Sequence, residues 1–135
     1  MEIVVLDTSV ILSILLQEPD YEHHVRLLAE VKTIAVGSPT VTETGIVLQG
    51  RFGPEGVSKL LGIIQRWNIQ VFDFTSAHAM EAMDAYQRFG KGNHPAKLNM
   101  GDCNSYATAR LAGAPLLYKG DHFVLTDLPK LTPTA

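Results

Sequence analysis

The chain has one cysteine, Cys103, in 135 residues. A lone cysteine cannot close an internal disulfide, which excludes a disulfide-stapled secreted scaffold and fits a reducing cytoplasm. Long hydrophobic runs are also missing. Nothing approaches the roughly 20 consecutive apolar residues that span a bilayer, so no membrane partner is expected. The first residues enter a strand pattern directly, with neither a basic segment nor a small-residue cleavage site. No signal peptide is therefore expected, and the expected location is cytoplasmic. Excess positive charge is absent too, the formal net charge being −3. That is the wrong sign for the usual electrostatic footprint of a nucleic-acid binder. Repeats, low-complexity segments and linkers are not seen, and the length suits one domain, expected to occupy 1–135.

What is present is an ordinary hydrophobic content of 46% arranged as strands alternating with helices. Ile3-Val4-Val5-Leu6 is continuously apolar, as in a strand covered on both faces. A short helix over 8–16 ends before Pro19, and a second is expected over 21–32 with Asp20 as its cap. Residues 33–37 read as a second strand. Pro39 marks the turn into a helix over 41–51, closed by Gly53, and Pro54 suits the first turn of the next, which runs to Trp67. A third strand spans 69–74, and Ser76 caps a helix to Phe89 with Ala79, Met80, Met83 and Tyr86 inward. The breakers Gly90, Gly92, Asn93 and Pro95 make 90–99 a loop. A helix over 101–112 closes at Gly113, residues 116–118 form the last core strand, and the end of the chain is expected to fray. This alternation predicts an α/β fold with a parallel sheet and right-handed crossovers.

Four acids hold matching places in that pattern. Asp7 follows the first strand and Asp121 the last, while Glu43 and Asp102 stand near the N-terminal ends of two helices. In an open parallel sheet, strand C-termini and helix N-termini share one edge, and ligands bind there. Four carboxylates gathered at that edge repel one another. A hard divalent cation such as Mg2+ or Mn2+ takes oxygen ligands and removes the conflict. Each acid also has an ordinary reading. Asp7 suits a helix cap, Thr40-Val41-Thr42-Glu43 matches a capping box, Asp102 gains from a helix dipole, and Asp121 suits a turn. The coincidence of all four on one edge is what favours a metal-dependent enzyme. With these four set aside, basic and acidic residues nearly balance. A bound cation with local Arg and Lys then attracts phosphate, so net charge does not exclude a nucleic acid.

The ordered set Asp7-Thr8-Ser9-Val10-Ile11, Glu43, Leu98-Asn99-Met100-Gly101-Asp102-Cys103 and Lys119-Gly120-Asp121-His122-Phe123 resembles the PIN-domain family. More narrowly it resembles the VapC-type ribonuclease toxins. Residues 47–53 and 86–95 are similar to one VapC subgroup, so the likeness covers nearly the whole chain. The resemblance implies a single PIN domain with a short central parallel sheet of about four to five strands flanked by helices. It implies a Mg2+- or Mn2+-dependent endoribonuclease that leaves 5′-phosphate and 3′-hydroxyl ends and acts as the toxin of a type II toxin–antitoxin pair. Asp7, Glu43, Asp102 and Asp121 would be its catalytic metal ligands, with Thr8, Ser9, Asn99 and His122 in support. The implied partners are an RNA substrate such as a tRNA or rRNA loop, a VapB-type antitoxin, a second copy in a homodimer, and operator DNA only through the antitoxin. Two positions depart from the pattern. His122 stands where many relatives carry a second acid, which bears on a second metal, and Met100 replaces the usual aromatic after Asn99 and reads as a core substitution.

Cationic contacts to RNA are expected among Arg51, Arg88, Lys91, Lys97 and Lys119, which fall in or beside loops and helix ends. The ordinary reading of each is a solvated surface charge. Phe52 and Phe89 offer base stacking or, alternatively, core and dimer contacts. His23 and His24 are adjacent on a helix and do not face one site, His78 and His94 lack partners at ligand spacing, and Cys103 reads as a buried small residue. Asp73, near the end of the third strand, is the rival ligand. Two competing functions remain open at this level. A phospho-acceptor signalling domain would use Asp7, Asp73 and Lys119 but leaves Glu43 and Asp102 unexplained; a catalytically weak PIN domain acting as a binding module is suggested by His122.

Overall fold

The computed structural model describes residues 2–129 and 131, so the expected frayed end, 132–135, lies outside the described residues. The order is β1 (Ile3–Leu6), α1 (Thr8–Leu15), α2 (Tyr21–Leu28), β2 (Thr33–Gly37), α3 (Ser38–Phe52), α4 (Pro54–Arg66), β3 (Gln70–Phe72), α5 (Ser76–Phe89), α6 (Met100–Ala112) and β4 (Leu116–Leu117). A 3-10 turn at Phe123–Leu125 follows. The four strands form one sheet in the order β3-β2-β1-β4, every pair parallel. Val5 is in register with Ala35 on one side and Leu116 on the other. The chain therefore adds strands outward from β1 and then crosses back to place β4 on the opposite side. The switch point lies between β1 and β4, where an open α/β sheet leaves a crevice.

The continuously apolar strands split between two cores, because successive side chains leave a strand on opposite faces. Val5, Ala35 and Leu116 pack with Ala82, Ala85 and Phe89 of α5 and Tyr106 of α6. Val4, Leu6, Ile34 and Val36 pack with Val10, Leu28, Leu48 and Leu60, from the helices of the other layer. Both sheet faces are thus covered, and the polar machinery is left to the sheet's C-terminal edge.

Several elements differ from expectation, each for a local reason. Helix α3 starts at Ser38 rather than 41, with Pro39 in its first turn, where proline's fixed φ suits a helix start. Gly37 is its N-cap without a side-chain bond, so the expected Thr40–Glu43 capping box does not form. Asp20 is the N-cap residue of α2, as expected, but it adopts a left-handed φ of 70° and makes no side-chain cap bond. Helix α2 stops at Leu28 instead of running to 32, because the chain must turn into β2 at Thr33. Strand β3 is shorter than expected, and Thr75 rather than Ser76 caps α5, in a reciprocal box with His78. Met80, Met83 and Tyr86, expected inward, are 65%, 59% and 43% exposed, and Met100, expected in the core, is 78% exposed. The buried stripe of α5 is Ala82, Ala85 and Phe89, and its two alanines let α5 lie close on α6. Helix α6 begins at Met100 behind the N-cap Asn99 and ends on Gly113 at φ 61°, a left-handed close that glycine accommodates without strain.

Candidate metal centre

Asp7 is the first residue past β1 and caps α1, one carboxylate oxygen accepting from the Ser9 amide at 3.1 Å and from Ser9 Oγ at 2.6 Å. Its cap reading therefore holds, but only for half of the group. The other oxygen accepts from Ser105 Oγ of α6 at 2.6 Å in a buried contact. Ser9 Oγ in turn accepts from the Lys119 amide at 2.9 Å, which ties the segment after β4 to α1. Thr8 Oγ1 donates to Glu43 Oε1 at 3.0 Å and so joins α1 to α3. Thr44 Oγ1 donates to the Thr40 carbonyl at 2.7 Å and lies 3.2 Å from Thr8 Oγ1.

Glu43 reaches the first turn of α6. A Cβ built at Gly101 would stand 2.7 Å and 2.8 Å from its two carboxylate oxygens, so the missing side chain is what makes room for them. One residue on, Asp102 Oδ2 accepts from the Asn99 amide at 3.1 Å and lies 3.2 Å from His122 Nδ1. The Asp102 amide returns the bond to Asn99 Oδ1 at 2.9 Å. Asp7, Glu43 and Asp102 thus converge from β1, α3 and α6.

Their charges register that convergence. Burial raises the pKa of Glu43; the Thr8 hydroxyl counters it, while the charges of Asp7 and Asp102 push it higher. Burial likewise raises Asp102, against the Asn99 amide and His122, with the Asp7 charge adding to the rise. A hard divalent cation relieves this conflict, and an all-oxygen acid set suits Mg2+ or Mn2+ rather than thiolate-seeking metals. Among the described residues, however, no three His, Cys, Asp or Glu side chains stand close enough to hold an ion as they are placed. Each of these acids is engaged instead by a hydroxyl or amide partner. Such an arrangement fits an ion that retains several waters and takes few direct protein ligands.

The fourth acid behaves differently. Asp121 is exposed on the bend after Gly120 and has no hydrogen bond or ion pair among the described residues. Its neighbour His122 is the group that reaches Asp102. Asp73 ends up beyond β3, with β2 between it and β1, roughly 10 Å away at ordinary strand spacing. That separation deprives a phospho-acceptor reading of its Asp7–Asp73 pairing.

The cations also divide. Arg88 binds Asp127 at 2.6 Å and Asp84 at 3.5 Å, and Lys119 Nζ pairs with Glu18 at 3.1 Å. Among the described residues Arg51, Lys91 and Lys97 have no such ion pair. Lys91 and Lys97 lie in the loop whose ends meet at the Gly90–Leu98 bridge, directly before Asn99. Arg51 lies eight residues past Glu43 on α3, about 12 Å along the helix axis. Phe89 is buried against Tyr106, and Phe52 lies under Lys59. Cys103 is buried with its thiol pushed up to about 11, first by burial and then by the Asp102 charge. His78 and His94 serve local caps and turns.

Sequence reasoning missed Ser105 and Thr40. Thr40 was absorbed into a capping box that does not form, and Ser105 sits unremarked in an alanine-rich helix. The signal was present: each lies three residues from an acid, hence on the same helical face.

An open parallel sheet that gathers carboxylates at the β1–β4 switch point defines a small α/β domain with an acidic centre. The chain matches the PIN domain family over residues 4–128 and belongs to that family. Its place within the family is with the VapC proteins. Ribonuclease VapC of Mycolicibacterium smegmatis is 40% identical over 124 residues, covering 92% of this chain and 96% of that protein. Ribonuclease VapC30 of Mycobacterium tuberculosis is 36% identical over 124 residues, covering 92% and 95%. Among solved structures, M. tuberculosis VapC20, described as a sarcin–ricin-loop-cleaving toxin, is similar with a TM-score of 0.78 at 17% identity, covering 96% of this chain and 99% of that one. VapBC2 of Rickettsia felis, solved with a promoter DNA fragment, gives a TM-score of 0.66 at 19% identity over 84% of each chain. No helix among the described residues is long and apolar enough to cross a membrane.

Proposed function

We propose that this chain is a Mg2+- or Mn2+-dependent endoribonuclease, the toxin of a toxin–antitoxin pair. The observation that carries the reading is the meeting of Asp7, Glu43 and Asp102 from three distant segments, with Gly101 leaving space for the Glu43 carboxylate. The names of its relatives, ribonucleases VapC at 36–40% identity over nearly their whole length, support the same conclusion.

A divalent cation at this edge supplies Lewis acidity toward a phosphodiester and lowers the pKa of a bound water. Asp7 and Asp102 would hold it, with Glu43 directly or through water and Asp121 entering from the rim. Asp7 cannot swing, because Ser9 and Ser105 fix both of its oxygens. Glu43 is held by the Thr8 hydroxyl, and Asp102 lies beside His122. Thr8 and Ser9 therefore act as supports, and Asn99 fixes Asp102 through the helix cap. In-line attack by water would leave 5′-phosphate and 3′-hydroxyl ends. Lys91 and Lys97, on the loop leading into the site, would meet the backbone of single-stranded or loop RNA. Arg88 and Lys119 act first as structural ion-pair partners.

A VapB-type antitoxin is the proposed protein partner, as in the solved VapBC2 complex. Its docking surface is supported by apolar grooves on either side of Met100, which is 78% exposed. Operator DNA would be reached only through that antitoxin. Exposed Ile46, Phe52 and Leu61 on α3 and α4 support a homodimer. The location is taken as cytoplasmic.

The test is to incubate antitoxin-free protein with total RNA and Mg2+ or Mn2+, beside Asp7→Asn and Asp102→Asn. Discrete fragments are expected, lost on chelation and in both variants, with 5′-phosphates on end-mapping. Wild type that binds metal yet cleaves no more than the variants would replace the enzyme with a binding module.

A further inference from the structure

Beneath the three carboxylates lies a buried layer of hydroxyls that the reaction does not itself use. Ser105 and Thr40 are 0% and 1% exposed. Ser105 Oγ donates its only proton to Asp7 Oδ1 at 2.6 Å, since an ionised carboxylate only accepts. The 3.4 Å contact between Thr40 Oγ1 and Ser105 Oγ therefore has Thr40 as donor. A directed chain runs from Thr40 to Ser105 to Asp7. Its members come from α3, α6 and the end of β1, the same three segments that carry Glu43, Asp102 and Asp7. Thr40 is three residues before Glu43 and Ser105 three after Asp102, so each hydroxyl shares a helical face with the acid it accompanies.

The bond count on Asp7 adds a second point. Each carboxylate oxygen offers two lone-pair sites. Oδ2 already accepts from the Ser9 amide and the Ser9 hydroxyl, which fills it. Among the described residues Oδ1 accepts only from Ser105, which leaves one site free. The oxygen of Asp7 that is free to take a ligand is thus the one Ser105 holds.

We propose that Ser105, backed by Thr40, is a positioning residue that fixes Asp7 as a one-oxygen ligand through Oδ1 and so sets the affinity of the centre for its divalent cation. The proposal rests on the metal-centre reading and deepens it. Partners of this kind, one bond removed from a ligand, typically carry 10–100-fold in metal affinity.

The experiment is Mn2+ binding by titration calorimetry, with thermal unfolding in chelator as the check on folding. Wild type, Ser105→Ala, Ser105→Thr and Thr40→Val are compared. Ser105→Ala is expected to bind Mn2+ about 10–100-fold more weakly while still melting cooperatively. Ser105→Thr keeps the hydroxyl and is expected to restore most of the affinity, and Thr40→Val to show a smaller loss in the same direction. RNA cleavage by Ser105→Ala should recover at high Mn2+, a dependence that a merely structural defect would not produce. If wild type binds Mn2+ and Ser105→Ala binds it equally well, the positioning role is overturned while the metal centre stands. If Ser105→Ala does not fold, unchanged affinity in Thr40→Val overturns it instead. If wild type binds no Mn2+, the metal-centre reading falls and takes this role with it.

Discussion

Replacing Gly101 with alanine should separate stability from function. The new Cβ would meet the Glu43 carboxylate oxygens at 2.7 Å and 2.8 Å, so that side chain must leave its place. The exchange is cheap for the fold. Alanine in a helix is favoured over glycine by about 0.5–1 kcal/mol. Against this, the displaced Glu43 gives up the Thr8 hydrogen bond, about 0.5–1.5 kcal/mol. It also escapes burial and the charges of Asp7 and Asp102. The sum lies within about 1 kcal/mol of zero, or about 4 °C in Tm for a domain of this size. The proposed metal centre, in contrast, would lose a carboxylate from its place, and Mn2+ affinity should drop about 10–100-fold. Thermal unfolding in chelator, Mn2+ calorimetry and RNA cleavage read the three quantities separately. A double-mutant cycle locates the cause, because Gly101→Ala should add almost nothing in a Glu43→Gln background. Wild-type Mn2+ affinity and cleavage in Gly101→Ala would refute the reasoning, since Glu43 would then have no required place against α6.

The raised pKa values of Glu43 and Asp102 mean that the folded chain holds these protons more tightly than the unfolded one. Without metal, their contribution to stability should fall as pH rises from about 4 through the raised values, then level off. The stability difference between Glu43→Gln and wild type in chelator should therefore grow over that interval, and a difference independent of pH would contradict the placement. Asp127 acts in the opposite sense: burial opposes ionisation, but the Tyr106 hydroxyl and the Arg88 guanidinium overcome it and hold the carboxyl below its usual range. Its contribution is present above the ordinary carboxylate range and lost as pH falls through the lowered value. Asp127→Ala removes the acceptor of the hydroxyl proton of buried Tyr106 and should cost about 1–3 kcal/mol by urea unfolding at neutral pH, the half-exposed ion pairs adding little. Leu48→Ala, at a 0% exposed site in the core it shares with Val4, Leu6 and Leu60, should cost about 2–5 kcal/mol and move the urea midpoint.

How far the sequence could be read depended on the range of the forces involved. Strand β2 and the left-handed close at Gly113 follow from neighbours in the chain, and both were legible. The inward face of α5 was not, because Met80, Met83 and Ala82, Ala85 offer two apolar stripes, and only packing on α6 chooses the small one. The start of α3 turned on whether Pro39 precedes or enters the helix, which the short link from β2 decides. At the site, Asp7, Glu43 and Asp102 were legible only as a set, because each alone has an ordinary cap, capping-box or helix-dipole reading and it is their shared edge that stands out. Thr40 and Ser105 were not legible as partners, since serine and threonine fit many surroundings and their meeting spans 65 residues.

The sequence by itself determined the class of fold and the edge on which the chemistry gathers. Apolar strands of hidden length, separated by helices, leave a parallel sheet covered on both faces as the arrangement that buries them. In such a sheet the acids after strands and at helix starts must share one edge. Tertiary structure decided which acids meet and what holds them. It brought Asp7, Glu43 and Asp102 together, left Asp121 at the rim beside His122, and set Asp73 beyond β2. The physical reason is one of distance. Hydrophobic burial reads pattern and is indifferent to partners, whereas a hydrogen bond or a carboxylate pair is settled within about 3–6 Å. That precision appears only when β1, α3 and α6 are packed against one another.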